Sequence, residues 1–132
     1  MERLFQKECD PDLLSPLTLA FVGDCVFELF VRERLVCEAN RPVQQLHQYS
    51  VAQDRCDAQA KSMDLLVDEL TEKELAIYKR GRNAKSTPPK NASSADYHKA
   101  TGLEALFGYL YLKGEINRLR TLYTKICEQN DK

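Results

Sequence analysis

Residues 17–31 read LTLAFVGDCVFELFV, and residues 102–112 read GLEALFGYLYL. Apolar side chains cover nearly the whole circumference of a helix in each stretch, which predicts two buried helices that build the core. Asp24 lies within the first stretch and Glu104 within the second. A carboxylate among apolar neighbours costs several kcal/mol unless a partner or a metal ion compensates its charge. We therefore expect the two helices to cross so that Asp24 and Glu104 face one divalent cation, which prefers oxygen ligands.

Helix-capping signals recur along the chain and predict an all-α fold. Ser15-Pro16 predicts a first helix that runs to about Val36, and its apolar residues mark it as the central helix. Gly23 interrupts it at a cost of about 1 kcal/mol relative to alanine, so another backbone or a ligand is expected to approach closely there. No strand-like alternation competes with this pattern. Further helices are predicted from Val51 to Leu66, from a capping box at Thr71 toward Arg82, from Ser93 or Ser94 to Leu112, and from Ile116 to Ile126.

Length and composition limit the class of protein. The 132 residues predict one domain over residues 1–132, and 43% hydrophobic with 30% charged residues is typical of soluble globular proteins. No uncharged apolar run reaches the roughly 18 residues of a membrane span, and MERLFQKECDPD at the start does not read as a secretory signal. We therefore predict a cytoplasmic protein with no membrane partner.

The cysteines predict neither a disulfide framework nor a zinc site. They are five in number, widely spaced and without a Cys-x-x-Cys pair, and the chain has only two histidines. Cys25 follows Asp24 and could be a nucleophile, but a small buried side chain is the favoured interpretation.

Positive charge is concentrated in one segment, although the net charge of the chain is -1. Residues 86–94 read STPPKNASS, which breaks any helix and predicts a loop. The basic segment, residues 79–90, contains no acid and runs into this loop. Such a segment is either solvated or a binding site for a polyanion. Lys and Arg side chains that hold phosphate groups beside a metal-binding carboxylate pair indicate a nuclease. The basic residues are Lys79, Arg80, Arg82, Lys85 and Lys90.

Two other residues near the predicted site have alternative interpretations. Glu28 lies one helical turn after Asp24 and could add a third carboxylate, but a surface ion pair with Arg32 is the favoured interpretation. His98 precedes Glu104 on the same predicted helix and could contact phosphate. An exposed helical histidine without function is favoured instead.

Four segments match one family in the same order along the chain. LSPLTLAFVGDCVFELFVRERL (residues 14–35), RGRNAKS (80–86), PKN (89–91) and YHKATGLEALFGYLYL (97–112) resemble the Mini-ribonuclease III family. The resemblance implies an all-α ribonuclease III catalytic domain without an appended double-stranded RNA-binding domain. It also implies a homodimer that cleaves double-stranded RNA with Mg²⁺, or with Mn²⁺ as a substitute. The implied role is to trim the ends of the 23S ribosomal RNA precursor, with a ribosomal protein as a further candidate partner.

The resemblance assigns roles to individual residues. Asp24 matches the family's metal-binding aspartate, and Glu104 matches its catalytic glutamate. Larger ribonuclease III enzymes carry acids at the positions of Leu17 and Thr101, so this chain offers fewer protein oxygens to a metal ion. The rest of the coordination is expected to come from water and RNA phosphate.

The sequence therefore predicts a Mg²⁺-dependent endoribonuclease that leaves 5′-phosphate and 3′-hydroxyl ends. Asp24 and Glu104 are expected to hold the ion, and the large apolar helix from Leu17 is expected to contribute to the dimer interface. One alternative is a catalytically silent RNA-binding or ribosome-associated module of the same fold. Another is a helical protein-interaction domain that does not bind RNA. The residues expected to hold the RNA backbone are Arg80, Arg82, Lys85 and Lys90, with Glu28 and His98 as accessory candidates.

Overall fold

The structure is a computed structural model that describes residues 3–130. Those residues form helices and contain no β-strand, which confirms the predicted all-α fold. The six α-helices are α1 (Pro16–Glu38), α2 (Val43–Asp54), α3 (Cys56–Leu66), α4 (Glu72–Arg82), α5 (Ser94–Leu112) and α6 (Ile116–Asn130). Short 3-10 helices at Pro11–Leu13 and Val67–Glu69 precede α1 and α4.

Side-chain caps begin three helices at the predicted residues. The Ser15 hydroxyl caps α1, and Pro16 occupies the first helical position. Thr71 and Glu74 form the reciprocal capping box that begins α4. Ser93 caps α5, the helix that carries the predicted catalytic glutamate. Local hydrogen-bonding chemistry is therefore sufficient to locate these helix starts.

The predicted continuous helix from Val51 to Leu66 is wrong, because the chain leaves the helical path at Arg55. Arg55 is extended, with ψ of 152°, and it separates α2 from α3 without a side-chain cap. Its guanidinium forms an ion pair with Asp57 instead. The break leaves Asp54 at the end of α2, where the charge of Asp24 on α1 contributes to raising the pKa of Asp54.

The central helix is α5, whereas the sequence indicated α1. Helix α5 packs against α1, α3, α4 and α6, and from Ala100 to Leu110 every residue except Glu104 is buried. Helix α1 buries only one face. Both helices are apolar nearly all round, so only the packing decides which one has neighbours on every side. Within residues 3–130, no helix has both the length and the apolar character needed to cross a membrane.

Two glycines bring α1 and α5 into backbone contact. A Cβ atom on Gly23 would lie 1.6 Å from the carbonyl oxygen of Glu104, and one on Gly108 would lie 2.0 Å from the carbonyl oxygen of Leu19. No side chain larger than hydrogen fits at either position. The close approach predicted at Gly23 is therefore confirmed, and it fixes the next residue, Asp24, beside the turn of α5 that carries Glu104.

Candidate active site

The crossing of α1 and α5 brings Asp24 and Glu104 together. The two backbones meet at Gly23, and the two carboxyl groups are joined by a hydrogen bond. A hydrogen bond between carboxyl groups requires a proton on one of them, because two carboxylates repel each other. The structure thus unites the two acids that the sequence singled out from distant positions.

The pKa of Glu104 is raised to about 8, first of all by burial of its carboxyl group. The hydrogen bond and the negative charge of Asp24 raise this pKa further, and Asp54 adds to the effect. A hydrogen bond with the Gln59 side chain acts in the opposite direction. Glu104 therefore holds a proton at neutral pH when no cation is present, and a cation that took the place of this proton would relieve the repulsion.

The expected burial of Asp24 is wrong. Asp24 is exposed, as is Cys25, which the sequence indicated to be a small buried side chain. The reason is that α1 packs on α5 through one face only, so its opposite apolar face remains in solvent. The free-energy cost of burying a carboxylate therefore falls on Glu104, which is partly buried, while Asp24 faces the side open to solvent.

Glu28 pairs with Arg32, which agrees with the favoured interpretation of that residue. The Arg32 Nη2 atom lies 2.6 Å from Glu28 Oε1 at the protein surface. The additional acid near the pair is Asp54, whose pKa is raised to about 6 by burial and then by the charges of Glu28 and Asp24. The Asp54 Oδ1 atom is buried and has no hydrogen-bond partner among the described residues.

The Asp24–Glu104 pair has the donor chemistry that suits a hard divalent cation. Both residues offer carboxylate oxygens, and the pKa of Glu104 is raised by burial and then by the neighbouring acid Asp24. In the part of the chain that the structure describes, no group of three or more His, Cys, Asp or Glu side chains is arranged to hold a metal ion. Two carboxylates with water in the other positions is a ligand set typical of Mg²⁺.

The basic segment begins next to the same part of α5. Gly81, which separates Arg80 from Arg82, packs so closely on α5 that a Cβ atom there would lie 2.7 Å from the Cβ atom of Ala105. The Arg82 guanidinium lies over the ring of Tyr78, with its Cζ atom 5.5 Å from the ring centroid. The end of α4 is therefore held against Ala105, the residue that follows the predicted catalytic glutamate.

The four predicted RNA-binding cations carry no neutralising acid within the described part of the chain. Arg80, Lys85 and Lys90 are exposed, and Arg82 is partly buried. None of the four forms a salt bridge with another residue of the region from 3 to 130. Their charges are available to a polyanion.

The remaining candidate, His98, is not the exposed histidine that the sequence favoured. Its ring is partly buried, lies 5.7 Å from the ring of Tyr97, and has a buried Nδ1 atom without a hydrogen-bond partner in the described region. Contact with phosphate stays a prediction for this residue. Leu17 and Thr101, which stand where larger ribonuclease III enzymes carry acids, add no metal ligand. Thr101 is buried, and its hydroxyl donates to the Tyr97 carbonyl oxygen at 3.0 Å. Leu17 is an exposed apolar residue.

Comparisons with known proteins identify the family. A family model for the ribonuclease III domain matches residues 17–115. The chain belongs to the ribonuclease III family. Mini-ribonuclease 3 of Thermoanaerobacter sp. (strain X514) is 48% identical to it over 83% of this chain and 78% of that protein. Mini-ribonuclease 3 of Staphylococcus aureus (strain NCTC 8325) is 40% identical over 92% of both chains. A crystal structure of a Fusobacterium nucleatum protein has a TM-score of 0.81 and 27% identity, and covers 87% of this chain and 89% of its own.

These relatives confirm the resemblance to the Mini-ribonuclease III group. This ribonuclease III protein is accordingly an endoribonuclease. The family assignment disfavours both a silent RNA-binding module and a protein-interaction domain without RNA.

Two residues near the pair were not predicted from the sequence. Gln59 and Asp54 lie in a polar, acidic segment, and only the packing of α3 on α5 and the break at Arg55 bring them to the acids. One feature of the sequence could have indicated that Gln59 is buried. It lies four and seven residues before Met63 and Leu66, so it is a polar residue in the apolar register of its helix.

Proposed function

We propose that this chain is a Mg²⁺-dependent endoribonuclease that cleaves double-stranded RNA and leaves 5′-phosphate and 3′-hydroxyl ends. We propose further that it acts in the cytoplasm on the ends of the 23S ribosomal RNA precursor, as the resemblance to Mini-ribonuclease III implies. The contact between Asp24 and Glu104 carries the proposal, because it joins two acids at a point where a cation would replace a proton.

In this mechanism Asp24 and Glu104 would hold the ion with their carboxylate oxygens. Bound Mg²⁺ supplies positive charge beside the scissile phosphate and makes water more acidic. Glu104 must give up its proton before it can bind a cation, and its partly buried position then keeps its negative charge directed at the site. Asp24 is exposed, so an RNA strand could reach it from solvent.

The basic segment would hold the RNA backbone. Arg80, Arg82, Lys85 and Lys90 have no salt-bridge partners in the described region, so binding phosphate costs them no existing ion pair. Such contacts fix the position of the duplex and carry little base information. Duplex RNA is recognised largely through its A-form shape, so we expect the protein alone to discriminate weakly between sequences.

A cleavage assay on a short duplex RNA tests this proposal. Wild type is expected to cleave with Mg²⁺ and not with EDTA, and Asp24→Asn and Glu104→Gln are each expected to lose at least about 100-fold in rate. Glu33→Gln, an exposed acid on α1, is the matched control and should retain the wild-type rate. RNA binding without Mg²⁺-dependent cleavage by the wild type would instead support the silent RNA-binding module.

We propose a homodimer because α1 leaves large apolar side chains mostly exposed in the described part of the chain. Phe21 is 82% exposed and Leu29 is 58% exposed, and Leu17, Cys25 and Val36 lie on the same side of the helix. A twofold axis along this face would bury it in both copies and place one carboxylate pair on each side of a duplex. A ribosomal protein partner and the use of Mn²⁺ stay predictions.

A further inference from the structure

Gln59 is a buried polar residue whose side chain meets the candidate site. Only 3% of its surface is exposed, although it carries an amide with two donor hydrogens and one acceptor oxygen. A buried amide requires hydrogen-bond partners, since an unsatisfied one costs about 1–3 kcal/mol. The charged group that it affects is the carboxyl group of Glu104 on the adjoining helix α5, whose pKa the Gln59 side chain lowers.

The backbone of Gln59 is held firmly enough for its side chain to act on Glu104. Helix α3 packs along α5, and Met63 and Leu66, in the same register as Gln59, are 1% and 0% exposed. These apolar contacts fix the turn of α3 from which the amide projects. The amide therefore cannot turn to solvent without displacing part of the core.

The chemistry of an amide suits the task of orienting a metal-binding carboxylate. A lysine or arginine beside Glu104 would neutralise it and compete with a cation, whereas an amide donates a hydrogen bond and leaves the negative charge intact. Among residues 3–130, no salt bridge involves Glu104. An amide on α3 can therefore orient the Glu104 carboxylate without neutralising its negative charge.

We propose that Gln59 is a positioning residue for Glu104: its side-chain N–H group donates to the Glu104 carboxylate and holds it in the orientation that faces Asp24. This inference rests on the proposed function, because it assigns Gln59 a part in holding the cation. The positions of Leu17 and Thr101 supply no acid, so the orientation of the two remaining carboxylates determines the affinity for the ion.

Substitution of the amide by an apolar group of similar size tests the inference. Gln59→Met removes the hydrogen bond and keeps the volume of the side chain, and Gln59→Leu is the second variant if the first does not fold. Ser62→Ala is the matched control, because Ser62 is buried on the same helix and its hydroxyl donates to the Ala58 carbonyl oxygen, away from Glu104. Circular dichroism and thermal melting establish that each protein is folded.

Two measurements on the folded proteins follow. The first is Mn²⁺ affinity without RNA, from paramagnetic resonance of the free ion, and the second is the Mg²⁺ concentration that gives half-maximal cleavage. Gln59→Met is expected to weaken Mn²⁺ binding about 10- to 100-fold and to raise the Mg²⁺ requirement. The KM for RNA at saturating Mg²⁺ should stay within about twofold of the wild-type value, because the amide acts on Glu104 and not on the basic segment.

The outcomes separate this inference from the proposed function. The inference is overturned if Gln59→Met binds Mn²⁺ as tightly as a cleaving wild type, or if Ser62→Ala loses as much affinity. In either case the endoribonuclease proposal stands. A folded wild type that binds no Mn²⁺ and cleaves no duplex overturns both.

Discussion

At the scale of single residues, the candidate site is an unequal pair of acids. Glu104 is partly buried on α5 and has a raised pKa, whereas Asp24 is exposed on α1. The sequence located both acids because each interrupts an apolar stretch. It did not indicate that only one of them bears the cost of burial, because the exposed face of α1 also carries large apolar residues such as Phe21 and Leu29.

The pKa of Glu104 predicts how stability varies with pH. An acid whose pKa is higher in the folded state binds its proton more tightly there, so the free energy of unfolding falls as the pH rises from about 4.5 to about 8. Asp54, with a pKa raised to about 6, contributes in the same direction. Without divalent metal, the melting temperature is expected to fall by roughly 5 °C or more across this range.

Substitution of the glutamate identifies its share of this effect. Glu104→Gln should remove most of the fall between pH 6 and 8, as measured by thermal melting in EDTA. Glu128→Gln, an exposed acid on α6, should leave the profile unchanged. An equal fall in wild type and Glu104→Gln would show that the glutamate does not hold the proton.

At the scale of helices, the site depends on how closely α1 and α5 cross. The carbonyl oxygen of Glu104 occupies the space where a Cβ atom on Gly23 would lie. Gly23→Ala improves the intrinsic helix propensity but forces the backbones apart, so we expect a net loss of about 3 kcal/mol or more in the free energy of unfolding. Chemical denaturation measures it, and cleavage should fall with it because Asp24 moves away from Glu104.

Gly114→Ala is the control for this substitution. Gly114 has φ of +82° just after α5, and a Cβ atom there would meet no other atom of the described residues within 4 Å. Its cost is backbone strain alone, about 1 kcal/mol. A Gly23→Ala protein that is at least as stable as Gly114→Ala would refute the close crossing.

The end of α4 and the loop after it make a separate prediction about RNA. Arg80→Ala, Lys85→Ala or Lys90→Ala should weaken binding similarly for duplexes of different sequence. Each should also reduce the slope of log affinity against log salt by about one, because one cation no longer neutralises a phosphate. Fluorescence anisotropy over a salt series measures both, with Lys61→Ala, which removes an exposed charge on α3, as the control. A salt slope unchanged in all three variants would exclude the basic segment from the RNA interface.

At the scale of the whole molecule, helix content and helix starts could be read from the sequence, and their arrangement could not. Ser15, Thr71 and Ser93 act through hydrogen bonds to residues three positions away, so their effect is visible locally. The break at Arg55 has no glycine or proline to mark it. The central position of α5 depends on contacts with four other helices, which no local pattern contains.

The exposed face of α1 predicts the assembly state. Phe21→Asp should convert the proposed dimer into a monomer, because a charge would enter an apolar interface. Leu13→Asp is a matched control: Leu13 is 82% exposed, as Phe21 is, but it lies outside α1. Light scattering coupled to size exclusion gives the mass. A wild type with the mass of one chain, or a Phe21→Asp protein that remains dimeric, would contradict this interface.

The central claim is that Asp24 and Glu104 share one divalent cation. Anomalous diffraction from crystals of the wild-type protein soaked in Mn²⁺ locates such an ion directly. We predict a peak between the two carboxyl groups that disappears in crystals of Glu104→Gln. Strong Mn²⁺ peaks elsewhere with none between Asp24 and Glu104, or an unchanged peak in Glu104→Gln, would contradict the claim.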